Sequence, residues 1–151
     1  CGTASIDKTC RIWDVGSGKC MSVLRGHTDE ILDFNFNAIG TSLVTASVDM
    51  TMAFTMYQLS SAGYIEGPRG INQKAVFNPQ GTKILSASFD HTARLWDVES
   101  GKMLQTLEGH EDEIFSCMFN YEGDTIITGS KDNTCRIWRD DESDHKPKFK
   151  K

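Results

Sequence analysis

The chain writes one phrase four times: ASIDKTCRIWDV (Ala4–Val15), ASVDMTMAFTMY (Ala46–Tyr57), ASFDHTARLWDV (Ala87–Val98) and GSKDNTCRIWRD (Gly129–Asp140). The slot of Trp13 recurs at Thr55, Trp96 and Trp138, by subtraction steps of 42, 41 and 42 residues. Between copies stand Gly26-His27 and Gly109-His110. A fixed period of this length marks a tandem array in which each supersecondary unit buries its apolar face only against its neighbours. The repetition also bears on function. An active site need be built once, so residues that recur in successive units are read first as framework.

Each unit divides into short strands punctuated by turn residues, as an all-β architecture requires. In the last unit Ile114–Phe119 and Thr125–Ser130 read as strands around the turn Tyr121-Glu122-Gly123-Asp124, and Thr134–Trp138 as a third strand. Equivalent turns are Asn37-Ala38-Ile39-Gly40 and Asn78-Pro79-Gln80-Gly81. Outer strands are expected at Cys20–Leu24 and Met103–Leu107, each after Gly-Lys. The second unit is degenerate: Thr55 replaces Trp, Met56 replaces the following Asp, and Gly67-Pro68 stands where Gly-His is expected. The retained Ser47, Asp49 and Thr51 still predict a folded unit, the least stable of the chain.

At 151 residues with formal net charge −5, the chain disfavours general binding to phosphate backbones, which needs clustered Lys and Arg. Its one basic run, His145–Lys151, follows acidic residues and reads with them as a disordered charged tail over 140–151. Five cysteines with no CxxC spacing suit a reducing, cytoplasmic setting, with Cys10 and Cys135 as small buried strand residues. No apolar run approaches membrane-spanning length, so no membrane role is expected.

The recurring Ser-x-Asp-x-Thr, Trp-Asp and Gly-His elements resemble the WD-repeat β-propeller family over nearly the whole chain. That resemblance implies a partial blade over 1–25 and blades over 26–66, 67–108 and 109–139. Propellers close with roughly 4–8 blades, so these three and a half read as the C-terminal part of a larger ring. It also implies a buried hydrogen-bond relay of His, Ser, Asp and Trp in each blade. The full set is His110, Ser130, Asp132 and Trp138. His27, Ser47 and Asp49 end in Thr55; Ser88, Asp90 and Trp96 lack the His; the first unit keeps Ser5, Asp7 and Trp13.

The same side chains invite comparison with a Ser-His-Asp hydrolase. A nucleophile needs a base in hydrogen-bond reach on an exposed, strained turn, yet no GxSxG occurs and the set is repeated. Neither His27, His91, His110 and His145, scattered among the units, nor the acids Asp29-Glu30 and Glu111-Asp112-Glu113 have metal-ligand spacing. The expectation is a non-enzyme without metal, cofactor, small-molecule substrate or nucleic-acid ligand, acting on other proteins.

By family resemblance, two classes of residue reach the partner-facing rim. Ile6, Val48, Phe89 and Lys131 precede the turn Asp, and Glu30, Leu32, Ile71, Gln73, Glu113 and Phe115 begin the inner strands. Apolar residues on turns are uncommon; ringed by acids, they would suit a peptide with hydrophobic anchors in basic surroundings, or else tuck between blades. GHEDEIFSCMFNYEGDTIITGSKDNTCRIW (Gly109–Trp138), with GHTDEILDFNF (Gly26–Phe36) and FNPQGTK (Phe77–Lys83), is similar to the outer-row dynein assembly factors with WD repeats. That similarity implies an adaptor between outer dynein arms and intraflagellar transport, in the cytoplasm and the cilium. A ubiquitin-ligase substrate receptor is the contrasting reading, and it is weakened because Trp13-Asp14-Val15-Gly16 and Trp96-Asp97-Val98-Glu99 lack Arg after Trp-Asp-x. A generic scaffold of another multiprotein complex is the third reading.

Overall fold

The computed structural model describes residues 1–56, 62–66, 71–140 and 149–150, with side chains over 1–54 and 71–139. The described chain is all-β. The first sheet holds β1 (Gly2–Ala4), β2 (Cys10–Trp13) and β3 (Cys20–Leu24). The second holds β4 (Ile31–Phe36), β5 (Ser42–Ser47), β6 (Thr51–Met56) and β7 (Ala62–Glu66). The third holds β8 (Asn72–Phe77), β9 (Lys83–Ser88), β10 (Ala93–Asp97) and β11 (Met103–Leu107). The fourth holds β12 (Ile114–Phe119), β13 (Thr125–Ser130), β14 (Cys135–Asp140) and β15 (Phe149–Lys150). Strand order follows sequence order and every pairing is antiparallel, so each sheet is a four-strand propeller blade or most of one.

Two features of the second and fourth sheets differ from, or add to, the reading of the sequence. Despite Thr55 in the Trp slot, β6 pairs with both β5 and β7. In the fourth sheet Phe149–Lys150, inside the span read as a disordered charged tail, pairs with Arg139 and Asp140 of β14 as an outer strand. The free edge of β14 offers unpaired backbone groups to whatever chain lies nearby. The rest of that span, residues 141–148 and 151, lies outside the described residues.

The core lies between sheets, in three joints of one design. Cys10 and Ile12 of the first sheet pack on Ile31 and Leu43 of the second. Val44, Ala46 and Met52 of the second pack on Ala75, Ile84 and Trp96 of the third. Leu85, Leu95 and Leu107 of the third pack on Ile114, Ile126 and Trp138 of the fourth. Each sheet thus has a leading face, turned to the sheet before it, and a trailing face, turned to the sheet after it. Strand alternation produces this: in β5 Leu43 points to the first sheet and Val44 to the third. Burial on both faces explains why β5 and β9 are apolar or small almost throughout.

Of the two repeated cysteines, Cys10 is buried as expected and its thiol is pushed up to about 11 by burial. Cys135 is exposed, contrary to expectation, because no described sheet lies behind the fourth. Cys117, on the leading face of that sheet, is fully enclosed and raised to about 12, chiefly by burial.

A buried relay and a rim of bulged residues

Every Ser-x-Asp-x-Thr turn is wired alike. One carboxylate oxygen of the Asp accepts from both the backbone N–H and the hydroxyl of the Thr two residues on. The hydroxyl distances are 2.6 Å for Asp7–Thr9, Asp49–Thr51, Asp90–Thr92 and Asp132–Thr134. The residue between them adopts a left-handed backbone in all four turns: Lys8, Met50, His91 and Asn133, with φ of 69°, 68°, 69° and 65°. The second carboxylate oxygen is where the units diverge.

In the second and fourth sheets it accepts from a histidine. His27 Nδ1 lies 2.8 Å from Asp49 Oδ2, and His110 Nδ1 lies 2.8 Å from Asp132 Oδ2. The same oxygens take the backbone N–H of Thr28 and Glu111. Burial alone would raise the Asp49 carboxyl, but hydrogen bonds from Thr51, Thr28 and His27 outweigh it and hold the group down to about 2. Burial likewise opposes, and donation from Thr134, Glu111 and His110 outweighs it, at Asp132, which is lowered further. In the first and third sheets the oxygen takes an arginine four residues on instead: Asp7–Arg11 at 3.2 Å and Asp90–Arg94 at 2.5 Å. Arg94 is nearly enclosed, so a guanidinium stands in for the imidazole of the other blades. Pro68, in the lost Gly-His pair, lies outside the described residues.

The far nitrogen of the imidazole reaches a hydroxyl that sequence reasoning missed. His110 Nε2 lies 2.8 Å from Thr128 Oγ1, and Trp138 Nε1 donates to that oxygen at 2.9 Å. The chain Trp138–Thr128–His110–Asp132 is therefore continuous, and Ser130 is not in it. Ser130 Oγ donates to Asp112 O at 2.9 Å and accepts the N–H of Asp132, closing the turn onto the inner strand. Ser47 does the same for Glu30 O at 2.7 Å. Register gives the reason. Trp138 pairs with Ile126, so Thr128 is its same-face neighbour, whereas Ser130 lies two residues further along.

The equivalent bonds are Trp96 to Ser86 at 3.0 Å and Trp13 to Thr3 at 2.9 Å. In the second sheet Thr45 meets His27 Nε2 at 2.7 Å and donates to Ala53 O. The Thr55 side chain lies outside the described ones. Ser5 accepts from the N–H of Asp7, and Ser88 from that of Asp90. The missed signal was a hydroxyl ten residues before every Trp slot, at Thr3, Thr45, Ser86 and Thr128.

In the second and fourth sheets the polar groups of the relay are satisfied by one another. His110 and Trp138 are buried. Among the described residues no three His, Cys, Asp or Glu side chains gather where an ion could be held.

The second constellation is the rim. At the end of each sheet where the inner strand begins, the residue before the turn Asp hydrogen-bonds the inner strand. Val48 N donates to Glu30 O, Phe89 N to Ile71 O and Lys131 N to Glu113 O, at 3.0, 3.0 and 2.9 Å. The turn before Ile6 instead ties the first sheet to the second, through Ile31 N to Ser5 O at 3.3 Å. Next along each inner strand, pairing slips by one residue, leaving Leu32, Gln73 and Phe115 without a ladder partner. A β-bulge of this kind re-aims a side chain out of the sheet's alternation.

The two classes of rim residue therefore lie together at one edge. Ile6, Leu32 and Phe115 are exposed; Val48, Ile71, Gln73 and Phe89 are half-buried. Phe89 of the third sheet and Phe115 of the fourth meet edge to face, ring centroids 6.4 Å apart and planes at 86°. Phe89 thus neither disappears between sheets nor stands free. Glu113 pairs with Lys131 at 3.5 Å, while Glu30 is exposed.

This fold, with its repeated joint, its indole–hydroxyl–imidazole–carboxylate wiring and a rim built from bulges, defines a propeller-type interaction module. The chain belongs to the WD domain, G-beta repeat family, whose model matches residues 18–54, 67–97 and 101–139. It is similar to WD repeat-containing protein 37 of Mus musculus, 26% identical over 77% of this chain and 32% of that protein. It is also similar to guanine nucleotide-binding protein subunit beta of Oryza sativa subsp. indica, 31% identical over 73% of this chain and 31% of that one. A third relative is the ribosome biogenesis protein WDR12 homolog of Nematostella vectensis, 29% identical over 71% and 33% respectively. The chain spans about a third of the length of these relatives. None of the three is a dynein assembly factor.

Proposed function

We propose that this chain is a non-catalytic protein-interaction scaffold and that its partner docks on the rim carrying Ile6, Leu32, Phe89 and Phe115. The carrying observation is the Phe89–Phe115 pair, which bridges two sheets and presents an aromatic anchor point on the rim that also carries the Glu113–Lys131 pair. Aromatic residues desolvated at the centre of a polar-rimmed patch carry most of the energy in protein interfaces. The acidic balance of the chain favours a partner segment with apolar anchors flanked by basic residues. The relay is assigned a structural role, holding each turn where the rim needs it.

Within this class the reading favoured by the Gly109–Trp138 similarity is an adaptor of outer dynein arm assembly and intraflagellar transport, working in the cytoplasm and cilium. The relatives, a G-protein subunit and a ribosome biogenesis protein among them, support the scaffold and select no client. Affinity capture from ciliated cells tests the narrower reading. Outer-arm dynein and transport subunits should be enriched on the wild-type chain and lost on a Glu30→Lys/Glu113→Lys version. Recovery of ligase subunits, or of no ciliary protein on folded bait, would remove the adaptor reading and leave the scaffold.

A further inference from the structure

In the four Ser-x-Asp-x-Thr turns the left-handed position is held by Lys8, Met50, His91 and Asn133, and only Met50 of these is apolar. A left-handed backbone is costly for every residue but Gly, and less so for Asn, whose side chain can bond locally. Lys8 has a visible use there: its Nζ donates to Thr28 O at 2.7 Å and ties its turn to the next unit. Met50 belongs to none of the three cores and is 48% exposed. Its sheet, the second, is packed against a described sheet on each side, so this exposure belongs to the fold and not to an end of the chain. An apolar side chain held at a strained, exposed position serves neither turn nor core, and strain of that kind points to function.

Other apolar groups gather at the same place. Val48 N donates to Glu30 O, which ties the turn of Met50 to the inner strand just before the bulged, exposed Leu32. Ile31 N donates to Ser5 O and brings exposed Ile6 of the first sheet alongside. Ile6 and Leu32 occupy the slots in which Phe89 and Phe115 meet two sheets further on. We propose that Met50 is a contact residue for a partner protein, forming with Ile6 and Leu32 an apolar ridge that receives an apolar side chain of the docking segment. The proposal rests on the rim as the docking face and adds to it a residue and a sensitivity to oxidation. An unbranched, polarizable thioether adapts to the group that meets it. Exposed Glu30, beside Leu32, favours basic residues flanking that group. A peroxide reverses the chemistry: its O–O bond breaks, one oxygen bonds to Met50 Sδ as the sulfoxide, and the other leaves as water. The apolar tip is then polar. Among the described side chains the other exposed methionines, Met21, Met103 and Met118, lie in β3, β11 and β12, away from these turns.

The probe is the short peptide most enriched from a random phage-displayed library selected on the full-length protein, its affinity read by fluorescence anisotropy. Met50→Asn should weaken it by about tenfold or more while melting at or above the wild-type temperature. Met50→Leu, which keeps volume and apolarity, should bind within about threefold of wild type. Hydrogen peroxide, with the sulfoxide at Met50 verified by mass spectrometry, should weaken wild type as Met50→Asn does and leave Met50→Leu unchanged. Phe115→Glu reports on the rim separately. Loss on Phe115→Glu with wild-type affinity on Met50→Asn would overturn the role of Met50 and leave the rim reading standing. Undiminished binding on both, or a library that yields no binder, would overturn both. Equal sensitivity of wild type and Met50→Leu to peroxide would place the oxidation effect elsewhere and overturn that part of the proposal.

Discussion

At the scale of the residue, the relay turns on Thr128. Its hydroxyl serves two buried groups at once, the indole of Trp138 and the imidazole of His110. A buried polar group left unpaired costs about 1–3 kcal/mol. Thr128→Val therefore should destabilise the chain by about 3 kcal/mol in urea unfolding, and Ser130→Ala by about 1 kcal/mol, since Ser130 only closes the turn. Equal losses would return Ser130 to the relay. The carboxylates add a pH dependence. Asp49 and Asp132 are held below their ordinary value in the fold, so the unfolded chain takes up their protons first as pH falls. Their contribution is complete above about pH 4 and is lost as the pH drops toward the folded values. A plot of unfolding midpoint against pH should fall steeply below pH 4 (roughly) and less steeply in Asp132→Asn.

At the scale of the element, strand positions were readable because repetition fixed them. Ile114–Phe119, Thr125–Ser130, Cys20–Leu24 and Met103–Leu107 occur as expected. What escaped was the choice between two hydroxyls on one face of a strand: Thr128 and Ser130 share that face, and only register separates them. The bulges at Leu32, Gln73 and Phe115 were also invisible, because a one-residue slip leaves no mark in apolar spacing. The tight turns carry a further prediction. Met50 holds φ of 68° where the fourth unit has Asn133, and a left-handed conformation costs most residues about 1–2 kcal/mol. Asn tolerates it through local hydrogen bonds, so Met50→Asn should stabilise the chain by roughly 0.5–1 kcal/mol. An unchanged or lower melting temperature would show that the turn is not strained.

At the scale of the whole molecule, stability and function use opposite chemistry. Joints between sheets are mainly apolar, with Asp33 and Asn35 of the second sheet hydrogen-bonded to the Ala75 backbone of the third, while the rim gathers exposed aliphatic and aromatic groups among charges. The family was legible in the repeat, whereas the relay came only from the resemblance, which named Ser130 where Thr128 carries the chain. The partner was not legible, because the rim is assembled from turns and bulges of separate sheets. The most direct test compares the two ends of the sheets. Phe115→Glu alters the rim; Ile39→Glu alters a more exposed turn at the opposite end of β4. Proteins captured by the wild-type chain should be lost on Phe115→Glu and kept on Ile39→Glu, with both variants melting like wild type. Retention on Phe115→Glu, or equal loss on both, would contradict docking at the rim.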